Sequence, residues 1–232
     1  DGTLVATCGG GAEVVLEAEL RSLGLEPVER TNGSVSFRGR EREMVLANRE
    51  LRSASRVLVP IVSGRVADYD ALYRLVRQPA WHRIIPSSLT IAVSAVVRDR
   101  AFPDRKLAGL TVKDAVVDGQ RRSGARSSVD RRTPDVPITL FLADGHAAIS
   151  LDSSGAPLHE RGYRRDAGEA PLRETVAAAM LLMSGWRGDR PLHDPFCGSG
   201  TIVIEAALLA AGVAPGSLRR GFAFEKWPWA GA

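Results

Sequence analysis

Residues 194–201 read Asp194-Pro195-Phe196-Cys197-Gly198-Ser199-Gly200-Thr201, and the run from Thr201 to Ala211 contains neither glycine nor proline. Just before it, Pro191-Leu192-His193-Asp194 predicts a short strand that ends near His193 and enters a tight loop. Strand, glycine-rich turn and helix in that order are the parts of an α/β nucleotide-type site. The two glycines let the backbone turn sharply and approach a ligand without a Cβ in the way. Free amides at the start of the following helix attract an anionic group such as a carboxylate. Two common versions of such a loop are excluded by spacing. A dinucleotide fingerprint needs a third glycine where Val203 stands, and a phosphate-binding P-loop needs a lysine where Ser199 or Thr201 stands.

Working outward, Leu172 to Ser184 is an Ala/Leu/Met helix, and Asp152-Ser153-Ser154-Gly155-Ala156-Pro157 is a turn-rich linker that marks a domain boundary. In front of it two α+β units are legible. The first joins a strand over Leu4–Cys8, a helix carrying Val14, Val15, Ala18, Leu20 and Leu23 that stops at Gly24, a hairpin turning at Asn32-Gly33, and a helix over Glu41–Leu51. The second opens on the β-branched run Arg56–Val62, in which Pro60 predicts a sheet edge or a strand end. A helix over Asp68–Arg77, a Pro79/Pro86 connector, a strand over Leu89–Val97 and a helix from Leu110 to about Arg122 follow. Paired strands over Ile138–Leu142 and Ala147–Leu151, turning at Asp144-Gly145, complete it.

Composition narrows the partners. A 44% hydrophobic share over 232 residues is enough for two or three small cores. No eighteen-residue apolar run and no leader pattern at Asp1–Ala6 is present, so a cytoplasmic protein without a membrane partner is expected. Cys8 and Cys197 are too few for a disulfide framework, and with four scattered histidines no metal site is expected. The formal net charge of +4 is mild, but it is unevenly placed. Between residues 98 and 132, ten basic side chains face five acidic ones, the density of a phosphate-binding surface.

The octet, together with Ile204-Glu205-Ala206-Ala207 and Ala214-Pro215-Gly216, resembles motif I of the bacterial THUMP-containing RNA guanine-N2 methyltransferases. The likeness extends through Leu158-His159-Glu160-Arg161-Gly162-Tyr163-Arg164, Ala170-Pro171-Leu172-Arg173-Glu174-Thr175 and Ser184-Gly185-Trp186. It reaches back to Val112–Asp118 and Val129–Val136, which look like the family's THUMP region. The resemblance implies an α+β N-terminal ferredoxin-like unit at 1–55, a THUMP RNA-binding domain at 56–152, and from 153 to 232 a linker and the beginning of an α/β Rossmann-like methyltransferase domain. It implies S-adenosyl-L-methionine as cofactor, held by Asp194, Pro195, Cys197, Gly198, Ser199, Gly200 and Thr201, with 23S ribosomal RNA as partner and the exocyclic N2 of a guanine as acceptor. No obligate protein partner is implied. RNA contact is expected from Lys113, Arg121, Arg122, Arg126, Arg131 and Arg132. An RNA-binding module without catalysis and a tRNA guanine-N2 methyltransferase are the alternatives.

Other residues have structural expectations. The family's acceptor loop, (Asn/Asp)-Pro-Pro-(Tyr/Phe), is not found in this sequence, which has no Pro-Pro pair, so no catalytic residue is assigned and the 232 residues alone are expected to be inactive. Cys197 is read as a small buried packing residue rather than a nucleophile. Trp186, Trp227 and Trp229 are read as packing residues, Asp130 and Asp135 as holding their loop, and Arg161, Tyr163 and Arg164 as structural. Asp194 is expected to order the motif or to accept from the cofactor's amino group, and Pro171 and Glu174 resemble a segment that passes near the cofactor.

Overall fold

The computed structural model describes residues 2–121, 124, 126–164 and 172–229. The expectations placed on Arg122 and Pro171 lie outside the described residues. The chain divides into two compact units, Asp1–Val57 with Ala156–Phe222, and Leu58–Gly155 with Ala223–Ala232.

In the first unit, β1 (Thr3–Thr7), α1 (Glu13–Ser22), β2 (Pro27–Thr31), β3 (Ser34–Arg38) and α2 (Glu41–Glu50) follow one another. β1 pairs antiparallel with β3, setting Leu4 opposite Phe37 and Ala6 opposite Val35, and all four side chains are buried. That alternation is what a strand with one covered face requires. β2 and β3 form the hairpin expected at Asn32-Gly33, with Thr31 opposite Ser34. The same unit holds α6 (Glu174–Met183) and α7 (Thr201–Ala210), which pack through Leu181, Trp186 and Ala206, with Leu192, Ile202 and Leu209 around them. The strand expected at Pro191–Asp194 is not formed. A strand is defined by ladder hydrogen bonds to a neighbour, and no described strand pairs with this segment.

The second unit contains β4 (Arg56–Arg65, from Leu58 on), α3 (Tyr69–Val76), α4 (Trp81–Ile84), β5 (Ile91–Arg98), α5 (Arg105–Gln120), β6 (Val136–Ala143) and β7 (His146–Asp152). Its strands lie in the order β4-β7-β6-β5, with β5 and β6 parallel and the other pairs antiparallel. The parallel pair is joined through α5, the long crossover such a pair needs. Along β6, Val136, Ile138, Leu140 and Leu142 are buried in alternation, and the β6–β7 hairpin turns at Asp144, whose φ is +51°. Ser153 and Ser154 are fully buried, so the turn-rich boundary is packed rather than solvated.

Three sequence expectations change here. Pro60 ends no strand: β4 runs on to Arg65, and the register against β7 shifts between Pro60 and Val62. A residue without an N–H is accommodated at such a bulge. α5 begins at Arg105 rather than Leu110, because Asp104 caps it, its Oδ1 accepting from the amides of Lys106 at 2.8 Å and Leu107 at 3.0 Å. The Pro79/Pro86 connector contains α4, whose Trp81 is fully buried. Among the described residues no helix is long and apolar enough to cross a membrane.

Candidate cofactor loop and nucleic-acid surface

The segment from Asp194 to Thr201 is a loop that closes on the first turn of α7. Gly198 and Gly200 have φ of +53° and +76°, the left-handed region that an L side chain enters only at a cost. Asp194 Oδ1 accepts from the Phe196 amide at 3.1 Å across Pro195, so Asp194 orders the loop. The Gly200 amide donates to the Cys197 carbonyl at 2.7 Å, and the Ser199 and Thr201 hydroxyls lie 3.2 Å apart. Gly200 occupies the N-cap position, and no side chain caps α7. Its first-turn amides are left for an external acceptor.

Around the turn the loop is open. Pro195 to Ser199 are exposed, Phe196 at 92%, and a Cβ placed on Gly198 would meet no atom within 4 Å. This overturns the expectation for Cys197. Its side chain is exposed, with the Gly198 carbonyl 3.8 Å from Sγ, because the loop stands open to solvent before α7.

Immediately below, the structure gathers groups that the sequence scatters. Arg161 and Glu205 form an ion pair, Nε to Oε1 at 3.2 Å, with side-chain exposures of 1% and 0%. The Tyr163 hydroxyl donates to Glu205 Oε1 at 3.0 Å, and burial together with the Glu205 charge holds the phenol well above its ordinary range. Arg164 pairs with the buried Glu174 at 3.0 Å and donates to the Thr201 hydroxyl at 3.2 Å. Glu174 is thus one side chain away from the loop, and with Arg164 it lines a cleft of about 650 Å³. Arg161, Tyr163 and Arg164 are thus tied to Glu205, Glu174 and Thr201 within the first unit. The weight carried by Glu205 was not foreseen, since nothing local pairs it with a residue 44 positions earlier.

The expected RNA surface lies in the second unit. Lys113, Arg121 and Arg126 converge on a depression of about 530 Å³, floored by Val117 and Ser127 and shared with Asp114 and Asp118. Lys113 pairs with Asp114 at 2.5 Å and Arg121 with Asp118 at 3.0 Å. Such solvated pairs contribute little and leave the cations free to exchange partners. Arg131 and Arg132 do not line it. They are exposed on a turn that Asp130 holds by accepting from the Arg132 and Thr133 amides and the Thr133 hydroxyl.

Asp135 is the anchor of that side of the unit. It accepts from the Thr90 amide and hydroxyl and pairs with Lys226 at 2.6 Å, and the Lys226 contact, with the Thr90 amide, lowers its pKa to about 2. Trp227 is buried, its Nε1 donating to the Asp135 carbonyl at 3.0 Å, and Trp186 is buried in the first unit. Trp229 packs at an edge as expected, 37% exposed, with its ring tilted against Trp227 and its Nε1 donating to the Ile84 carbonyl at 3.4 Å. No group of His, Cys, Asp and Glu among the described residues is placed to hold a metal ion.

Three family models match the chain in sequence: an RlmL ferredoxin-like domain over residues 3–58, a THUMP domain over 66–152, and an RMKL-like methyltransferase domain over 161–230. The chain is 40% identical over 223 residues to the ribosomal RNA large subunit methyltransferase K/L of Aeromonas hydrophila. It is 38% identical over 224 residues to a Synechocystis sp. protein whose name assigns it to the RNA methyltransferases. Both matches take in 96% of this chain, but the chain spans only 31% and 58% of the respective relatives. The crystal structure of SMU.472 complexed with SAH superposes on 98% of the chain and 60% of its own, at 34% identity and a TM-score of 0.87. The chain thus carries, in this order, matches to an RlmL ferredoxin-like domain, a THUMP domain and an RMKL-like methyltransferase domain.

Proposed function

We propose that this chain supplies the RNA-gripping domain and the methyl-donor loop of an S-adenosyl-L-methionine-dependent enzyme that methylates the exocyclic N2 of a guanine in 23S ribosomal RNA. The observation that carries the reading is the open turn at Gly198 and Gly200, set on the uncapped N-terminus of a helix. A donor with an amino-acid tail fits it: the α7 amides offer donors to a carboxylate, and the Gly198 backbone is approachable from open space. The relatives' names and the SAH complex of SMU.472 support the same class of donor and RNA.

When bound, the donor supplies an electrophilic methyl group. The chain's own residues hold and orient. Asp194 keeps the turn in shape through the Phe196 amide, and Arg164 fixes Thr201 and Glu174 on the side of the cleft. Lys113, Arg121 and Arg126 present cations to RNA phosphates, with Arg131 and Arg132 as a second contact point. A guanine amine is a weak nucleophile, so the reaction also needs groups that orient its N–H bonds. None is assigned among these residues, and the chain alone is accordingly proposed to be inactive.

The decisive experiment is calorimetric titration of the full-length gene product with S-adenosyl-L-methionine, together with methyl transfer to deproteinised 23S RNA. Donor binding in the micromolar range and a product carrying N2-methylguanine are expected. An absence of donor binding removes the functional reading, and a different methylated base or acceptor RNA removes the specificity.

A further inference from the structure

Helix α7, whose first turn forms the proposed donor site, is held at its middle and just past its C-terminus through one short stretch of the ferredoxin-like domain, Arg49 to Ser53. At the middle, Arg161 donates to Glu205 on α7, to the Leu158 carbonyl at 3.3 Å and, through Nη2, to the Arg52 carbonyl at 2.7 Å. At the far end, Arg52 Nη2 donates to the Val213 carbonyl at 2.7 Å. There Gly216 also lies so close to α2 that a Cβ on it would sit 2.7 Å from Arg49 Cα. The stretch is itself fixed to α1. Glu19 accepts from the Arg52 amide at 2.8 Å, the Ser53 amide at 2.9 Å and the Ser53 hydroxyl.

We infer that the ferredoxin-like domain serves as the scaffold of the donor site, with Arg161 and Glu205 as positioning residues that set where the Gly198–Gly200 turn stands. The inference rests on the functional reading above. Burying two charges is costly, and a helix needs no ion pair to pack, since apolar side chains of similar volume do so as well or better. What the pair adds is direction: a guanidinium fork bonded to α7, to the Arg52 carbonyl and to its own segment at Leu158 restricts the arrangement more than apolar contacts do. Glu205 stands one turn beyond Thr201, so a shift of its anchor moves the first-turn amides directly. None of these side chains belongs to the donor loop at Asp194–Thr201.

The test compares the full-length protein with the double variant Arg161→Met/Glu205→Leu and with Arg52→Met. The double variant removes both charges together and is expected to keep its melting temperature. Arg52→Met leaves the buried pair in place and loosens only the far end, so it covers the case in which the double variant fails to fold. The expected result is a KM for S-adenosyl-L-methionine raised about tenfold in the double variant and about threefold in Arg52→Met, and a KM for RNA unchanged in both. Donor affinities within twofold of wild type in Arg52→Met, and in the double variant if it folds, overturn the inference and leave the functional reading intact. An equal loss of donor and RNA binding in a folded variant also overturns it, by revealing a general disturbance. A wild-type protein with no affinity for the donor removes the functional reading, and this inference with it.

Discussion

About one helical turn separates an open loop of the first unit from a buried ion pair beneath it. At Phe196 to Ser199 the chain is open to solvent and held by few bonds, and at Glu205 and Arg161 two opposite charges have almost no exposure. The loop is satisfied largely by its own backbone, so its outward amides remain available. The cluster is satisfied entirely by its neighbours, so it cannot move without breaking something. A site that must bind a ligand repeatedly gains from being open above and fixed below, because ordering the loop at each binding event would weaken affinity. The difference teaches that the enclosed charges and the exposed glycines are two halves of one device.

The largest effect expected from breaking this contrast comes from removing one member of the enclosed pair. Arg161→Ala leaves Glu205 buried with only the Tyr163 hydroxyl, and Glu205→Ala leaves a buried guanidinium bonded to carbonyls alone. Each is expected to cost about 3–5 kcal/mol, read as the free energy of urea unfolding. A cost below about 1 kcal/mol would mean that the cluster admits water. Next comes the open side. Gly198→Ala keeps the turn at φ +53° under a strain of roughly 1–2 kcal/mol, and the added methyl points into empty space. Donor affinity is expected to fall about tenfold or more, because a ligand seated on the loop meets that methyl. An unchanged donor affinity would place the ligand elsewhere.

An ion pair of intermediate exposure gives the scale between these extremes. Asp135 is 20% exposed and Lys226 is 55% exposed, and the contact depresses the Asp135 carboxyl to about 2. A depressed carboxylate stabilises the fold above its unfolded value of about 3.9, and that contribution disappears as pH falls through the folded value. Because Lys226 is solvated, the contribution is expected to be about 1 kcal/mol and no more. Unfolding midpoints of wild type and Asp135→Asn should differ by a constant amount above pH ~4 and converge toward pH ~2. A difference that grows as the pH falls has the wrong sign for this pair.

Much of this was written locally in the sequence. The turns at Asn32-Gly33 and Asp144-Gly145 and the helix after Thr201 depend on residues a few positions apart, and the structure agrees with each. The failures have physical causes. The helical pattern read from Leu110 misses the first turn of α5, although Asp104 already supplies a cap six positions earlier. Of the two readings of Pro60, a sheet edge or a strand end, the strand end fails because a bulge depends on the partner strand, which the local sequence does not show. The Arg161–Glu205 pair and the stretch Arg49–Ser53 were invisible for the same reason, being assembled from segments 44 to 161 positions apart. Cys197 was misjudged because cysteine is usually buried, a tendency that gives way when a glycine turn carries it outward.

The smallest expected effect separates the two cysteines. Cys8 is half-buried, and burial, with the nearby Glu13 charge, raises its thiol to about 11, so very little thiolate is present near pH 7. Cys197 stands exposed on the open loop. A thiol reagent added to the native protein should therefore label Cys197 rapidly, and Cys8 only after unfolding. Cys197→Ser should change stability by less than about 0.5 kcal/mol, as surface substitutions do. The same labelling sharpens the contrast further, because S-adenosyl-L-methionine seated over Gly198 would slow modification of Cys197 while leaving Cys8 as it was. Equal labelling of both thiols in the native state would show that the first unit opens as a whole, and the distinction between an open loop and a fixed base would then be lost.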